Sequence, residues 1–539
     1  MYKKCAVYLS VSLLVLPLVS VGAGPDTPAV SPLQLTIEQL SQACPALPVS
    51  LDAAAQTLLQ AFYRQQQFTQ AWSSPGRLDA LLVQLEQLAD DGLNPASYQL
   101  ASLRSFAQQP PAVTQQAECQ DILISHVYLQ ALQHLQYGRL QQAKVEPFWQ
   151  APSQPEALVP APAAAEDALL ALAVFGLNDL PAAFQYARPA LAQYQSLRRT
   201  YAQLRQQPLA SWSAVASGPL LRPDMQDARV PELTQRLVSE GYLPTTATSV
   251  DNRYEPLQVA ALKAFQQSHA LQADGIVGAG TLAALNVSPF ERREQLRVNL
   301  ERFRWLAHNL EATSLLINVA AGQLTYYQAG VPVWQTRTQV GRPLRPTPLL
   351  KSQITRLTLN PRWSVPPTIF REDKLPEIRR DLGFLSKHEL QIFDREGNQL
   401  EAEQVDWDNP GFIQLRQSAG PKNPLGQVAL RFANPFSVYL HDTPSQQLFE
   451  KAPRAFSSGC VRVEQALQLS QQLLSEAERE RVSTLLATGK THEFRLASPM
   501  PLLMSYWTAE VDSAGQLQYL ADIYQHDAAL LAALDSARL

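Results

Sequence analysis

Charge is scarce in this chain of 539 residues: 44 Lys and Arg face 48 Asp and Glu, giving 17% charged residues and a formal net charge of −4. No basic patch arises from such a balance, so nucleic acid is not expected as a partner. Histidine is scarcer still, and the 8 present never form His-Glu-x-x-His or a comparable pair, which disfavours a metallopeptidase. His126 and His134 lie in helical text without carboxylate or cysteine neighbours at ligand spacing, so neither metal nor cofactor is expected. No lysine has a serine three positions before it, so the Ser-x-x-Lys motif of penicillin-type serine transpeptidases is missing. Long apolar runs are also missing, apart from Ala6–Val19.

That one run follows Lys3 and Lys4, contains Pro17, and ends in Val21-Gly22-Ala23, the pattern of a secretory signal cleaved after Ala23. It is shorter than the roughly 20 residues that span a bilayer comfortably, so no stable membrane span is expected after cleavage. The expected destination is the periplasm. Of the 4 cysteines, Cys5 leaves with the signal. In an oxidising compartment Cys44 and Cys119 can pair, which would leave Cys460 as a free thiol, although the sequence does not prove the pairing.

Cys460 lies in Phe456-Ser457-Ser458-Gly459-Cys460-Val461-Arg462, and His441 precedes it on an extended segment, Phe436–His441. A thiol beside an imidazole has the makings of a nucleophile and its base, because the thiolate is the reactive form and a free thiol ionises only near about 8.5. Period-two alternation puts Tyr439 and His441 on one face of that strand. The text after Val463 reads as a helix, so Cys460 is expected just before a helix start, where backbone N–H groups would favour the thiolate.

A chain of this length exceeds what one hydrophobic core supports. Gln-, Ala- and Leu-rich text with apolar residues every three or four positions makes 24–215 an α-helical scaffold, interrupted by a Pro-rich stretch at Pro152–Pro162. Residues 225–290 read as a compact three-helix unit with a turn at Asp274-Gly275 and Thr281 in or at the first turn of its last helix. From 298 to 535 short alternating segments such as Ser314–Ala320 and Val331–Val340 predict a β-rich domain. The expected fold class is therefore multidomain α+β.

The spacing Phe265…Asp274-Gly-Ile-Val-Gly…Thr281-Leu282 resembles the small peptidoglycan-binding domain found beside wall hydrolases. His441 followed by Ser457-Ser458-Gly459-Cys460-Val461-Arg462 resembles the signature of the L,D-transpeptidases. Val340-Gly341-Arg342, Asn360-Pro361-Arg362-Trp363, Asn423-Pro424-Leu425-Gly426, Trp72 and Asp91-Gly-Leu-Asn94-Pro95 are similar to that family's large periplasmic branch. Many members have His where Ser458 stands and Asn where Arg462 stands.

The resemblance implies covalent acyl transfer between peptidoglycan stem peptides, donor and acceptor, with Cys460 as nucleophile and His441 as base and acid. The Gly459 and Cys460 N–H groups, with Tyr439, would face the oxyanion. Arg462 would hold a stem carboxylate or brace the loop through backbone carbonyls, and Ser457 and Ser458 would line the substrate or stabilise the turn. Trp363 and an insertion over about 362–412 would cap the donor, although its charged text is equally that of a solvated helix face. Carbapenems would acylate the thiol, and other wall enzymes are possible partners. Hydrolysis to a trimmed stem, the L,D-carboxypeptidase outcome, and a non-catalytic wall-binding role are the alternatives.

Overall fold

The computed structural model describes residues 31–536 except 46, 48–50, 110, 112, 153–161, 210–211, 248–251 and 513, and no side chains at 162–164. The expected signal segment lies outside the described residues. Among the described residues, no helix is long and apolar enough to cross a membrane.

The first third is helical. Asp52 caps the helix Ala53–Gln65 by accepting from the Ala55 N–H at 2.8 Å. That helix packs Phe62 and Tyr63 against Leu81, Leu85 and Leu132 of the helices Arg77–Gln87 and Thr114–Tyr137. Cys44 and Cys119 form a disulfide, their Cα atoms 5.7 Å apart, and among the described residues Cys460 is the free cysteine. Two buried carboxylates organise this core. Asp121 accepts from Tyr63 Oη at 2.6 Å and from the Ala71 and Trp72 N–H groups at 3.0 and 2.9 Å. Asp91 accepts from Arg188, Arg198 and Tyr194, drawing the helix Ala192–Gln206 onto the motif that opens with Asp91-Gly92. Both anions are fully partnered, the condition for keeping a charge out of water.

The three-helix unit consists of Val230–Ser239, Pro256–Ser268 and Ala279–Leu285 around Leu233, Leu237, Leu262 and Phe265. Gly275 sits at φ +74°, and a Cβ there would come within 2.8 Å of Val259, so the turn requires glycine. Thr281 is buried in the first turn of the third helix, accepting from Gln266 Nε2 at 3.1 Å.

The helix Pro289–Asn309 begins with a reciprocal Ser288–Glu291 cap and runs straight through the boundaries expected at 290 and 298. Its buried cations tie the units together. Arg304 bonds Glu301 and the Asp91 carbonyl, while Arg302 bonds Glu146 at 2.7 Å on one side and Asp527 at 2.5 Å on the other.

Beyond it, strands Ser314–Asn318, Gln323–Gln328, Val331–Gly341, Leu349–Leu359, Val428–Phe432, Leu440–His441, Val461–Val463 and His492–Ser505 pair in a ring, because Leu349–Leu359 and His492–Ser505 also join. Closure removes the exposed edges that an open sheet would present. Phe148–Gln150, from the helical third, adds a parallel strand beside Leu349–Lys351. Residues expected to be wholly helical scaffold therefore also complete the catalytic sheet. The insertion forms a separate lobe of short helices and a four-stranded sheet with its own core of Ile378, Ile392 and Leu415. Its last strand, Gln414–Gln417, lies past the expected end at 412.

Candidate active site

Parallel pairing of Leu440 with Val461 and His441 with Arg462 sets the site. Leu440, Val461 and Val463 point into the core. Alternation turns Tyr439, His441, Cys460 and Arg462 to the opposite face, and the Tyr439 and His441 ring centroids are 5.6 Å apart. Antiparallel pairing with Val331–Gly341 adds Gln339 opposite Arg462, whose Nη1 donates to Gln339 Oε1 at 3.0 Å. The expected Phe436–His441 strand shortens to Leu440–His441, since Ser437 adopts φ +57° and breaks the extended run.

His441 is buried, and its Nδ1 lies 2.5 Å from the Asp442 carbonyl oxygen. A carbonyl has no proton to give, so Nδ1 carries the hydrogen and Nε2 keeps its lone pair. Burial, reinforced by the Arg462 guanidinium, pushes the imidazole down to about 3. Burial likewise pushes the Cys460 thiol up, opposed by the Tyr439 backbone N–H at the sulfur and by Arg431 and Arg462. The resting pair is thus neutral thiol and neutral imidazole, rather than a standing thiolate–imidazolium pair. Helix assistance is also withdrawn: Cys460 precedes the strand Val461–Val463, and the next helix begins only at Ala466. A helix does follow Val463, but five residues, the strand Val461–Val463 and a two-residue turn, separate the thiol from it.

The thiol loop is tightly braced. Ser457 Oγ donates to the Cys460 carbonyl at 2.5 Å and accepts from the Gly459 N–H at 3.1 Å. The Gly459 N–H is thus engaged at rest by Ser457, whose hydroxyl ties the turn at both ends. Gly459 itself has φ +112°, a conformation open to glycine, and its carbonyl accepts from Thr347 Oγ1 at 2.9 Å. Ser458 Oγ accepts from Arg345 Nη1 at 3.0 Å, and Arg345 in turn pairs with Asp373 of the insertion at 2.7 Å. Asp373 also pairs with Arg342 at 3.1 Å. The charged text of the insertion is thus not an ordinary solvated face, since Asp373 docks on the thiol loop.

Arg462 bonds a side chain rather than loop carbonyls, and its Nε is buried without a partner. Trp363 lies in the insertion's sheet, with the Lys374 ammonium 5.8 Å over its ring. Arg431, whose guanidinium sits 3.9 Å over the Tyr439 ring, escaped sequence reading, as did Arg345 and Gln339. The signal for Arg431 was available, for a lone arginine interrupts the apolar strand Val428–Phe432.

Residues 312–486 match the family model of the L,D-transpeptidase catalytic domain. The chain carries an L,D-transpeptidase catalytic domain. Residues 57–200 of this L,D-transpeptidase-like chain match a scaffold-domain family, and 226–285 match a family described as a candidate peptidoglycan-binding domain. A candidate L,D-transpeptidase of Haemophilus influenzae is 34% identical over 241 residues, 43% of this chain and 48% of that protein. The match thus spans about half the length of that curated relative.

Proposed function

We propose that this protein is a periplasmic, cysteine-dependent L,D-transpeptidase that forms 3→3 cross-links in peptidoglycan. The observation that carries the reading is the shared sheet face of Cys460 and His441, with the Nδ1 of His441 committed to the Asp442 carbonyl. A base locked in that tautomer presents Nε2 to the thiol. As Sγ attacks the carbonyl between the diamino acid and the terminal D-Ala of a tetrapeptide stem, the thiol proton passes to Nε2. The C–N bond then breaks, the imidazolium protonates the leaving amine, and D-Ala departs from the thioester. The side-chain amine of a second stem attacks, the C–S bond breaks, and the amine's proton returns through His441 to sulfur. One peptide bond is exchanged for another, so no nucleotide is consumed.

A neutral resting pair suits this sequence, because proton transfer accompanies attack and the buried imidazole does not hold a proton beforehand. The Cys460 N–H serves the oxyanion together with the Tyr439 hydroxyl, each donor contributing about 3 kcal/mol of transition-state stabilisation. Arg462, with its unpartnered Nε, binds a stem carboxylate, and the insertion with Trp363 covers the donor. The peptidoglycan-binding family match supports the wall as the partner. Intact-mass measurement with meropenem tests the nucleophile: the wild type gains one adduct and Cys460→Ala gains none. An adduct on both proteins, or on neither, overturns the assignment.

A further inference from the structure

A cleft of about 400 Å³ lies between the three-helix unit and the catalytic sheet. Its one wall is the turn 270–274, ending at Asp274, and the other is Arg337 with the segment 449–454. The cleft belongs to neither unit alone. Arg337 is held at the rim by Glu450 at 2.8 Å and by Glu464, whose carboxylate lies 2.8 Å from its Nε.

That rim is continuous with the thiol. Arg337 precedes Gln339 by two positions on one strand, and Glu464 follows Arg462 by two on its antiparallel neighbour, so all four face the side occupied by His441 and Cys460. From Cys460 to Glu464 is four residues of extended chain, about 13 Å. The other flank of the thiol is taken: Ser458 is tied through Arg345 to Asp373 of the insertion. Cys460 therefore sits between two approaches, one beneath the insertion and one along the stripe Arg462–Gln339–Glu464–Arg337 into the cleft.

Resting on the transpeptidase reading, we propose that this interdomain cleft is the subsite of the acceptor stem peptide. A zwitterionic peptide with carboxylates and a free amine matches walls that offer both signs: Lys451 toward carboxylates and Asp274 toward cationic groups. The about 13 Å stripe matches the length of a four-residue extended stem, which brings its side-chain amine to the thioester while the rest of the strand lies against the three-helix unit. Acylation uses the insertion side and does not involve the cleft.

The two half-reactions separate the assignment from the reading it rests on. In the full-length mature protein, Lys451→Glu reverses the charge of an exposed wall residue, and Gln272→Trp fills the opposite wall. With disaccharide-tetrapeptide, the single-turnover burst of D-Ala, one per Cys460, and the rate of meropenem acylation are expected to stay within about twofold of wild type, while cross-linked dimer falls at least tenfold in each variant. Raising acceptor concentration should restore dimer in Lys451→Glu. Unchanged dimer in both variants overturns the cleft as acceptor subsite, as does a parallel loss of acylation and dimer in both. Wild-type protein that is never acylated overturns the underlying reading, and the subsite with it.

Discussion

At the residue scale, the proposed reactivity rests on a buried imidazole and a half-buried thiol, both neutral at rest. Because burial raises the Cys460 thiol and nothing at rest compensates fully, its thiolate fraction at neutral pH is below that of an ordinary cysteine. Alkylation by iodoacetamide should accordingly be slower at pH 7 than for a free thiol, and should accelerate about tenfold per pH unit until the raised thiol titrates. A fast, pH-independent reaction between pH 5 and 8 would indicate a standing thiolate. Arg462→Ala removes a cation that opposes the rise of the thiol and that reinforces the effect of burial on His441, so its alkylation profile should shift while acceptor-independent release of D-Ala falls at least tenfold.

Much of this was readable from residues. Ser-Ser-Gly-Cys-Val-Arg and the upstream histidine mark Cys460 and His441 as the proposed nucleophile and base, and alternation put Tyr439 and His441 on one face. The sign of the thiol's electrostatics was not readable, since it depends on burial and on the five residues between Cys460 and the helix. Gly459's engagement by Ser457 is likewise a matter of loop closure, invisible in one dimension.

At the scale of elements, the insertion and the thiol loop are joined by Arg345, Arg342 and Asp373. Asp373→Asn keeps the shape and removes the charge, and partly exposed pairs of this kind contribute about 1 kcal/mol or less each. The fold should survive with its melting temperature little changed, whereas hydrogen exchange at residues 457–460 should speed up and donor turnover should drop about tenfold. Retained exchange protection would mean that Ser457 and Thr347 hold the loop unaided. Charge patterning marked 371–380 only as a helix face, because an ion pair to a residue about thirty positions upstream has no local signature. The three-helix unit was the most legible element: its turn at Asp274-Gly275 is demanded by a positive φ and by contact with Val259.

At the scale of the whole molecule, units that the sequence separates are welded by the helix Pro289–Asn309. Arg302 is buried between Glu146 of the helical third and Asp527 of the C-terminal helix. Glu146→Ala should destabilise by about 1.5–3 kcal/mol, because it removes the Nε and Nη2 partner of buried Arg302 and leaves Asp527 as its carboxylate; a loss below about 1 kcal/mol in denaturant unfolding would refute that role. Neither the shared helix nor the strand Phe148–Gln150 lent to the sheet has a signature in linker composition, since both are defined by contacts with distant residues.

Several histidines fold in the neutral state: burial depresses His441, His134 and His269 to about 3, and His126 to about 4. In the unfolded chain they take up protons near pH 6.5, so their contribution is complete above that pH and is lost as pH falls toward the folded values. Melting temperature should decline between pH 6.5 and 4, and a flat profile would contradict the burial of these rings.

The cysteine mechanism is tested most directly by what the mature protein makes from purified disaccharide-tetrapeptide, read by mass spectrometry with Cys460→Ala alongside. Cross-linked dimer with loss of one D-Ala, absent from the variant, is the predicted result. Tripeptide monomer alone would replace the acceptor amine by water and make the protein an L,D-carboxypeptidase, and dimer formed equally by Cys460→Ala would contradict the cysteine mechanism outright.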